Sequence, residues 1–89
     1  LTTAQRRLAP KLYAQMQHTI ALINNGTDIT AAIDEAKDQL QKAGFGKIDY
    51  FDLRQPDDFQ PCDKPTATSR IFVAIWLGST RLIDNCAIV

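Results

Sequence analysis

"RIFVAIWLGSTRLIDNCAIV", Arg70–Val89, is the stretch whose reading decides the fold. Two runs rich in β-branched and aromatic residues flank Gly78-Ser79, a two-residue hairpin signal with glycine at the first central position. "RIFVAIWL" is apolar on both faces, as the middle strand of a sheet would be. "TRLIDNCAIV" is its returning partner. The turn fixes a register in which Leu77 opposes Thr80, Trp76 opposes Arg81 and Phe72 opposes Asn85. One face then shows Ile71, Val73, Ile75, Leu77, Leu82, Cys86 and Ile88, with Asp84 as its polar exception. The other shows Phe72, Ala74, Trp76, Arg81, Ile83 and Asn85. A one-residue slip would exchange the faces. The aliphatic face is the better seat for a core.

Working back from the hairpin, "KIDYFDLRQ" reads as a first strand over Ile48–Arg54. Following the same pattern, it places Phe51 and Leu53 inward and Tyr50, Asp52 and Arg54 outward. Between it and the hairpin, residues 56–69 form a loop in which Pro61 and Pro65 exclude a central strand. Further upstream, Thr2 and Thr3 are candidate caps for a short helical turn. Pro10 suits the first turn of a longer helix, where its missing N–H costs nothing. Leu8, Leu12, Met16, Ile20 and Ile23 recur at helical spacing, and Asn24, Asn25 and Gly26 end the helix. Asp28 or Thr30 caps a second helix whose stripe is Ile29, Ala32, Ile33, Ala36 and Leu40, closed by Ala43–Gly46. Each helix has a single apolar face that needs a partner. The expected fold is α+β: one domain, residues 1–89, with two main helices packed on one face of a three-stranded antiparallel sheet of order 1-2-3.

Composition narrows the function classes. The 89 residues carry ten basic and ten acidic side chains, which cancel; a broad nucleic-acid footprint is disfavoured. No apolar run approaches the length of a membrane span, and no signal-peptide pattern opens the chain. The first residue is Leu1, as expected of a processed or excised piece. Two cysteines, Cys62 and Cys86, are too few for a disulfide-stapled secreted domain, so both are expected as free cytosolic thiols.

The residues offer little catalytic chemistry. Arg81 opposite Trp76 can stack its guanidinium on the indole, either as sheet packing or to reach a phosphate or carboxylate on a neighbouring domain. Asp84, if buried, needs a donor, and no histidine or second carboxylate accompanies it at a useful spacing. His18, the one histidine, falls with Lys11 and Gln15 away from the apolar stripe and should be solvated. Neither a Cys-x-x-Cys nor a His pair is present. Asp57, Asp58 and Asp63 lack the alternating pattern of a calcium loop. Gly44 and Gly46 mark a helix end, not a phosphate loop. What stands out is the mixed outer face: Tyr50, Arg54, Phe72, Trp76, Arg81 and Asn85. Exposed aromatic side chains on a small domain mark an interface.

Three stretches carry a resemblance: "LTTAQRRLAPKLY" (Leu1–Tyr13), "GFGKIDYFDLR" (Gly44–Arg54) and "AIWLGSTRLIDN" (Ala74–Asn85). In order and spacing along the chain they resemble the C-terminal domain of the pantothenate synthetase (pantoate–β-alanine ligase) family. The resemblance implies an ATP- and magnesium-dependent, two-step reaction in a cytoplasmic enzyme. Pantoate is adenylated with loss of pyrophosphate, and β-alanine then attacks the acyl adenylate to give pantothenate and AMP. It also implies a larger N-terminal Rossmann-like nucleotidyltransferase domain holding the ATP and pantoate sites, with the C-terminal domain as its lid and the full enzyme a homodimer. The family's histidine-containing nucleotide motif and phosphate-gripping Ser/Arg segment have no counterparts here. No catalytic residue is therefore carried over, and no cofactor is expected on this chain alone. The rival expectation is a free-standing interaction or small-ligand-binding module without ligase activity.

Overall fold

In a computed structural model, residues 3–55 and 68–88 are described. Helix α1 spans Thr3–Asn24 and α2 spans Ile29–Ala43; the strands are β1 (Ile48–Arg54), β2 (Arg70–Leu77) and β3 (Thr80–Ala87). The sheet is antiparallel in the order β1-β2-β3, so the architecture expected from the sequence is the one observed.

Each helix end follows from its local residues. Asp28 caps α2 by accepting a hydrogen bond from the Ala31 amide, which satisfies one of the donors a helix start leaves open. Gly44 ends α2 at φ 115°, a left-handed conformation that glycine adopts without steric cost. The Phe45 amide there reaches back to the Leu40 carbonyl at 3.1 Å. The end of α1 is built alike, with the Thr27 amide on the Leu22 carbonyl at 3.0 Å.

One expectation about α1 is corrected. Pro10 does not begin a second helix; it lies inside a single one that starts at Thr3. A proline there removes the hydrogen bond to the carbonyl four residues back. Leu8 and Ala9, just ahead of it, already pack on the core, and that burial keeps the first turns helical across the defect.

The core lies between the helices and one face of the sheet. Met16, Ala36, Phe51, Ile71, Val73 and Ile75 have no accessible surface, and Leu12, Ile23, Leu40, Leu53 and Leu77 have almost none. Thr19, also fully buried, donates its hydroxyl to the Gln15 carbonyl at 2.9 Å, which removes the penalty of an unpaired polar group. The hairpin register is the expected one throughout, from Leu77↔Thr80 to Phe72↔Asn85, and Gly78 takes a φ of 63°. Helix α2 sits over β1 and α1 over β2. Strand β3 overhangs at the edge, so Asp84 is exposed despite its inward parity. It accepts from the Asn85 amide at 2.8 Å and needs no buried donor.

Candidate functional site

Strand β1 departs from simple alternation at one point. Its pairing runs Arg54↔Arg70 to Tyr50↔Ala74, then jumps to Ile48↔Ile75, with the irregularity at Asp49. Such a bulge adds one residue to one strand and resets the parity beyond it. Ile48 is thereby paired with an inward residue and packs against the core, while the Asp49 carboxylate reaches the outer face. The pairing is closed beyond the bulge by the Gly46 amide on the Trp76 carbonyl at 2.8 Å and the Trp76 amide on the Lys47 carbonyl at 2.9 Å.

Asp49 organises one end of that face. Its Oδ2 accepts from Arg81 Nε at 2.8 Å and from Trp76 Nε1 at 3.3 Å. Lys47 Nζ stands 3.7 Å from Oδ1. The hydrogen bond from Arg81 is the main reason the Asp49 carboxyl is held below its ordinary range; partial desolvation opposes this, and Trp76 and Lys47 assist it. The expected stacking of Arg81 on Trp76 is replaced by this shared carboxylate: a charge-assisted hydrogen bond is the stronger attraction for a guanidinium. The cation–π contact of the face belongs to another pair, Arg54 over Tyr50, 5.8 Å from the ring centre.

The other expected residues fall as their parity requires. Phe51 and Leu53 are buried, whereas Tyr50, Asp52, Arg54, Phe72 and Trp76 are half-buried on the outer side. Arg54 pairs with Asp52 at 2.8 Å, and Arg70 Nε donates to Asn85 Oδ1 at 2.8 Å. The face thus has two polar ends around a centre where Ala74 is flanked across the strands by Tyr50 and Ile83. Ile83 keeps 63% of its surface exposed. Ala74 itself has no accessible surface, so the exposed apolar part of the face is Ile83.

Other candidate chemistry is sparse. Among the described residues no three His, Cys, Asp or Glu side chains gather to hold a metal, and the carboxylate of the outer corner is already engaged. Magnesium, which favours free carboxylate and phosphate oxygens, does not fit this set. His18 is half exposed, with Nε2 3.5 Å from Glu35 across the two helices. Cys86 is a free thiol, raised above its ordinary pKa by burial first and by Asp84 second. Cys62, Asp57, Asp58 and Asp63 lie outside the described residues. Clefts among the described residues include one of about 410 Å³ lined by Lys37, Asp38, Gln41, Lys47 and Ile48, and one of about 300 Å³ along the helices. Neither includes Arg81. No described helix is long and apolar enough to cross a membrane.

Comparison with known proteins supplies what this chemistry cannot. The family model described as pantoate-beta-alanine ligase matches residues 1–87. The pantothenate synthetase of Caulobacter vibrioides is 40% identical over 91 residues, covering 99% of this chain and 32% of that protein. That of Hahella chejuensis is 40% identical over 89 residues, covering 99% and 31%. The crystal structure of pantothenate synthetase from Thermus thermophilus superposes with a TM-score of 0.86 at 26% identity, over 99% of this chain and 32% of that one. The chain therefore spans about a third of the length of the relatives it matches, and it belongs to the pantoate–β-alanine ligase family.

Proposed function

We propose that the chain is the C-terminal lid of a pantothenate synthetase. The observation that carries this reading is an end-to-end match to only a third of the full-length ligases. The whole enzyme condenses pantoate with β-alanine through a pantoyl adenylate, using ATP and magnesium held by an N-terminal nucleotidyltransferase domain. Closing a site over an acyl adenylate excludes water that would hydrolyse it. A lid needs a rigid body and a surface matched to the domain it covers. The helix-backed sheet is the rigid body; the outer face of Tyr50, Arg54, Phe72, Trp76, Arg81 and Asn85 is that surface. The enzyme acts in the cytoplasm as a homodimer.

Translating the reading frame upstream of Leu1 tests the assignment. A nucleotidyltransferase domain is expected there; a start codon immediately before Leu1 would favour a free-standing binding module. The face is tested by Trp76→Ala in the full-length ligase. It should lower kcat/KM by about ten-fold or more while shifting the melting temperature of the 89-residue chain by only a few degrees. The reverse ranking would make Trp76 plain packing.

A further inference from the structure

We propose that Arg81, held in place by Asp49, is a docking point for a carboxylate side chain on the remaining two-thirds of the ligase, and that Asp49 is its positioning residue. The inference rests on the lid reading and adds the chemistry of the contact.

Asp49 accepts through one oxygen from two donors that face each other across β2 and β3, Trp76 and Arg81. Arg81 is gripped at Nε alone, and its two terminal amino groups make no hydrogen bond among the described residues. A guanidinium fixed at its inner edge still offers a terminal pair of N–H groups, the fork that matches a carboxylate. The corner has a net positive charge, because Lys47 and Arg81 share the single Asp49. Its Arg81 side chain keeps 39% of its surface accessible. The bulge in β1 is what brings Asp49 to this side of the sheet. Arg54, by contrast, is matched within its own strand by Asp52 and Tyr50.

The form of the surface selects the occupant. A free nucleotide or small anion is ordinarily bound in a concave site, and neither of the two clefts described above includes Arg81. The corner instead continues into the exposed Ile83, the neighbour of Arg81 on the same face of β3. A charged group beside an exposed apolar side chain is the layout of a protein interface with a polar rim. About two-thirds of each matched ligase lies outside the region this chain covers, enough to supply that partner surface.

The experiment uses the full-length ligase. Arg81→Lys keeps the charge and loses the fork; Asp49→Asn keeps the shape and loses the charge that holds Nε. Each should lower kcat/KM about ten-fold, and the double variant should also lose about ten-fold, because one unit is being removed twice. The wild-type rate should fall with added salt, and more steeply than that of Arg81→Lys. Asp49→Glu should recover part of the loss, and melting temperatures should stay within a few degrees of wild type. Unchanged kcat/KM in both single variants, or losses that multiply in the double, would overturn the proposal. Ile83→Asp separates this from the lid reading. If Ile83→Asp is damaging while Arg81→Lys and Asp49→Asn are not, the face still docks and the carboxylate contact is wrong; if all three are harmless, the docking face fails too. Pyrophosphate titrated into the 89-residue chain, followed by Trp76 emission, should give no saturable change. Saturation with a Kd below about 1 mM would assign the corner to a free anion and overturn the protein carboxylate.

Discussion

Asp49 carries two donors on a single carboxylate oxygen, Arg81 Nε and Trp76 Nε1, and the indole makes its titration visible. Its folded pKa lies below the ordinary 3.8, chiefly through the Arg81 hydrogen bond. A depressed carboxylate adds stability that is present above the unfolded value and lost as pH falls through the folded one. Trp76 is the chain's one tryptophan, so its emission reports the corner alone. Titrated with acid, the emission should change with a midpoint below 3.8, and Asp49→Asn should abolish that step; a step retained in the Asp49→Asn variant would assign it to another group. The sequence holds a signal for this residue that simple alternation misses. A strict period of two along β1 puts Asp49 inward with Phe51 and Leu53, where an unpaired carboxylate would be costly. That conflict marks the bulge. Arg81 and Trp76 are legible as cross-strand partners because the Gly78-Ser79 turn sets their register; their shared acceptor comes from a strand distant in sequence, and no local pattern reports it. Cys86, whose thiol burial pushes up in pKa, should be alkylated at neutral pH more slowly than an unhindered thiol, since the thiolate is the nucleophile.

The elements are largely readable in the sequence, for definite reasons. Strand β1 begins and ends where its residues predict, and both helix stripes are buried, because each element turns one apolar face to a single core. The start of α1 is the exception: Pro10 is a strong local signal that packing by Leu8 and Ala9 overrides. Two substitutions with opposite signs follow from this local chemistry. Pro10→Ala restores a helical hydrogen bond at an exposed position and should stabilise the chain by about 1–3 kcal/mol. A loss of stability would show that the proline sets a bend the packing requires. Gly44→Ala forces an L side chain to a φ of 115° and should destabilise by about 1–3 kcal/mol. Denaturant unfolding of the two variants beside the parent measures both.

For the molecule as a whole, a covering part and a chemically competent part are different things. The described residues form one core, with Met16 and Ile20 of α1, Ala32 and Ala36 of α2 and Phe51, Val73 and Ile75 of the sheet in a single buried cluster. That cluster can hold the outer face rigid without the rest of the ligase. Adenylate formation asks for more: cationic groups converging on the transferring phosphate, aimed in advance at the charge of the transition state. Here Arg6 and Arg7 lie on α1, and the other three guanidinium groups are spread along the strands. Arg54 is tied to Asp52, Arg70 is held by Asn85 and Arg81 by Asp49. The larger cleft offers Lys37 and Lys47 beside Asp38, and Asp38 is already paired with Lys42 at 2.9 Å. Among the described residues no three His, Cys, Asp or Glu side chains gather as a metal site. The 89-residue chain should therefore form no pantothenate when supplied with pantoate, β-alanine, ATP and magnesium. Pantoate-dependent pyrophosphate release should stay at the buffer level as chain concentration is raised. Turnover proportional to that concentration, with host ligase removed by purification from a strain lacking it, would place catalytic groups in this domain and end its reading as a lid. Adding the nucleotidyltransferase domain as a separate polypeptide is a more demanding comparison. If the two parts assemble, wild-type chain should raise the rate of that domain, and on the proposed reading of the outer face as the docking surface the Trp76→Ala chain should raise it less.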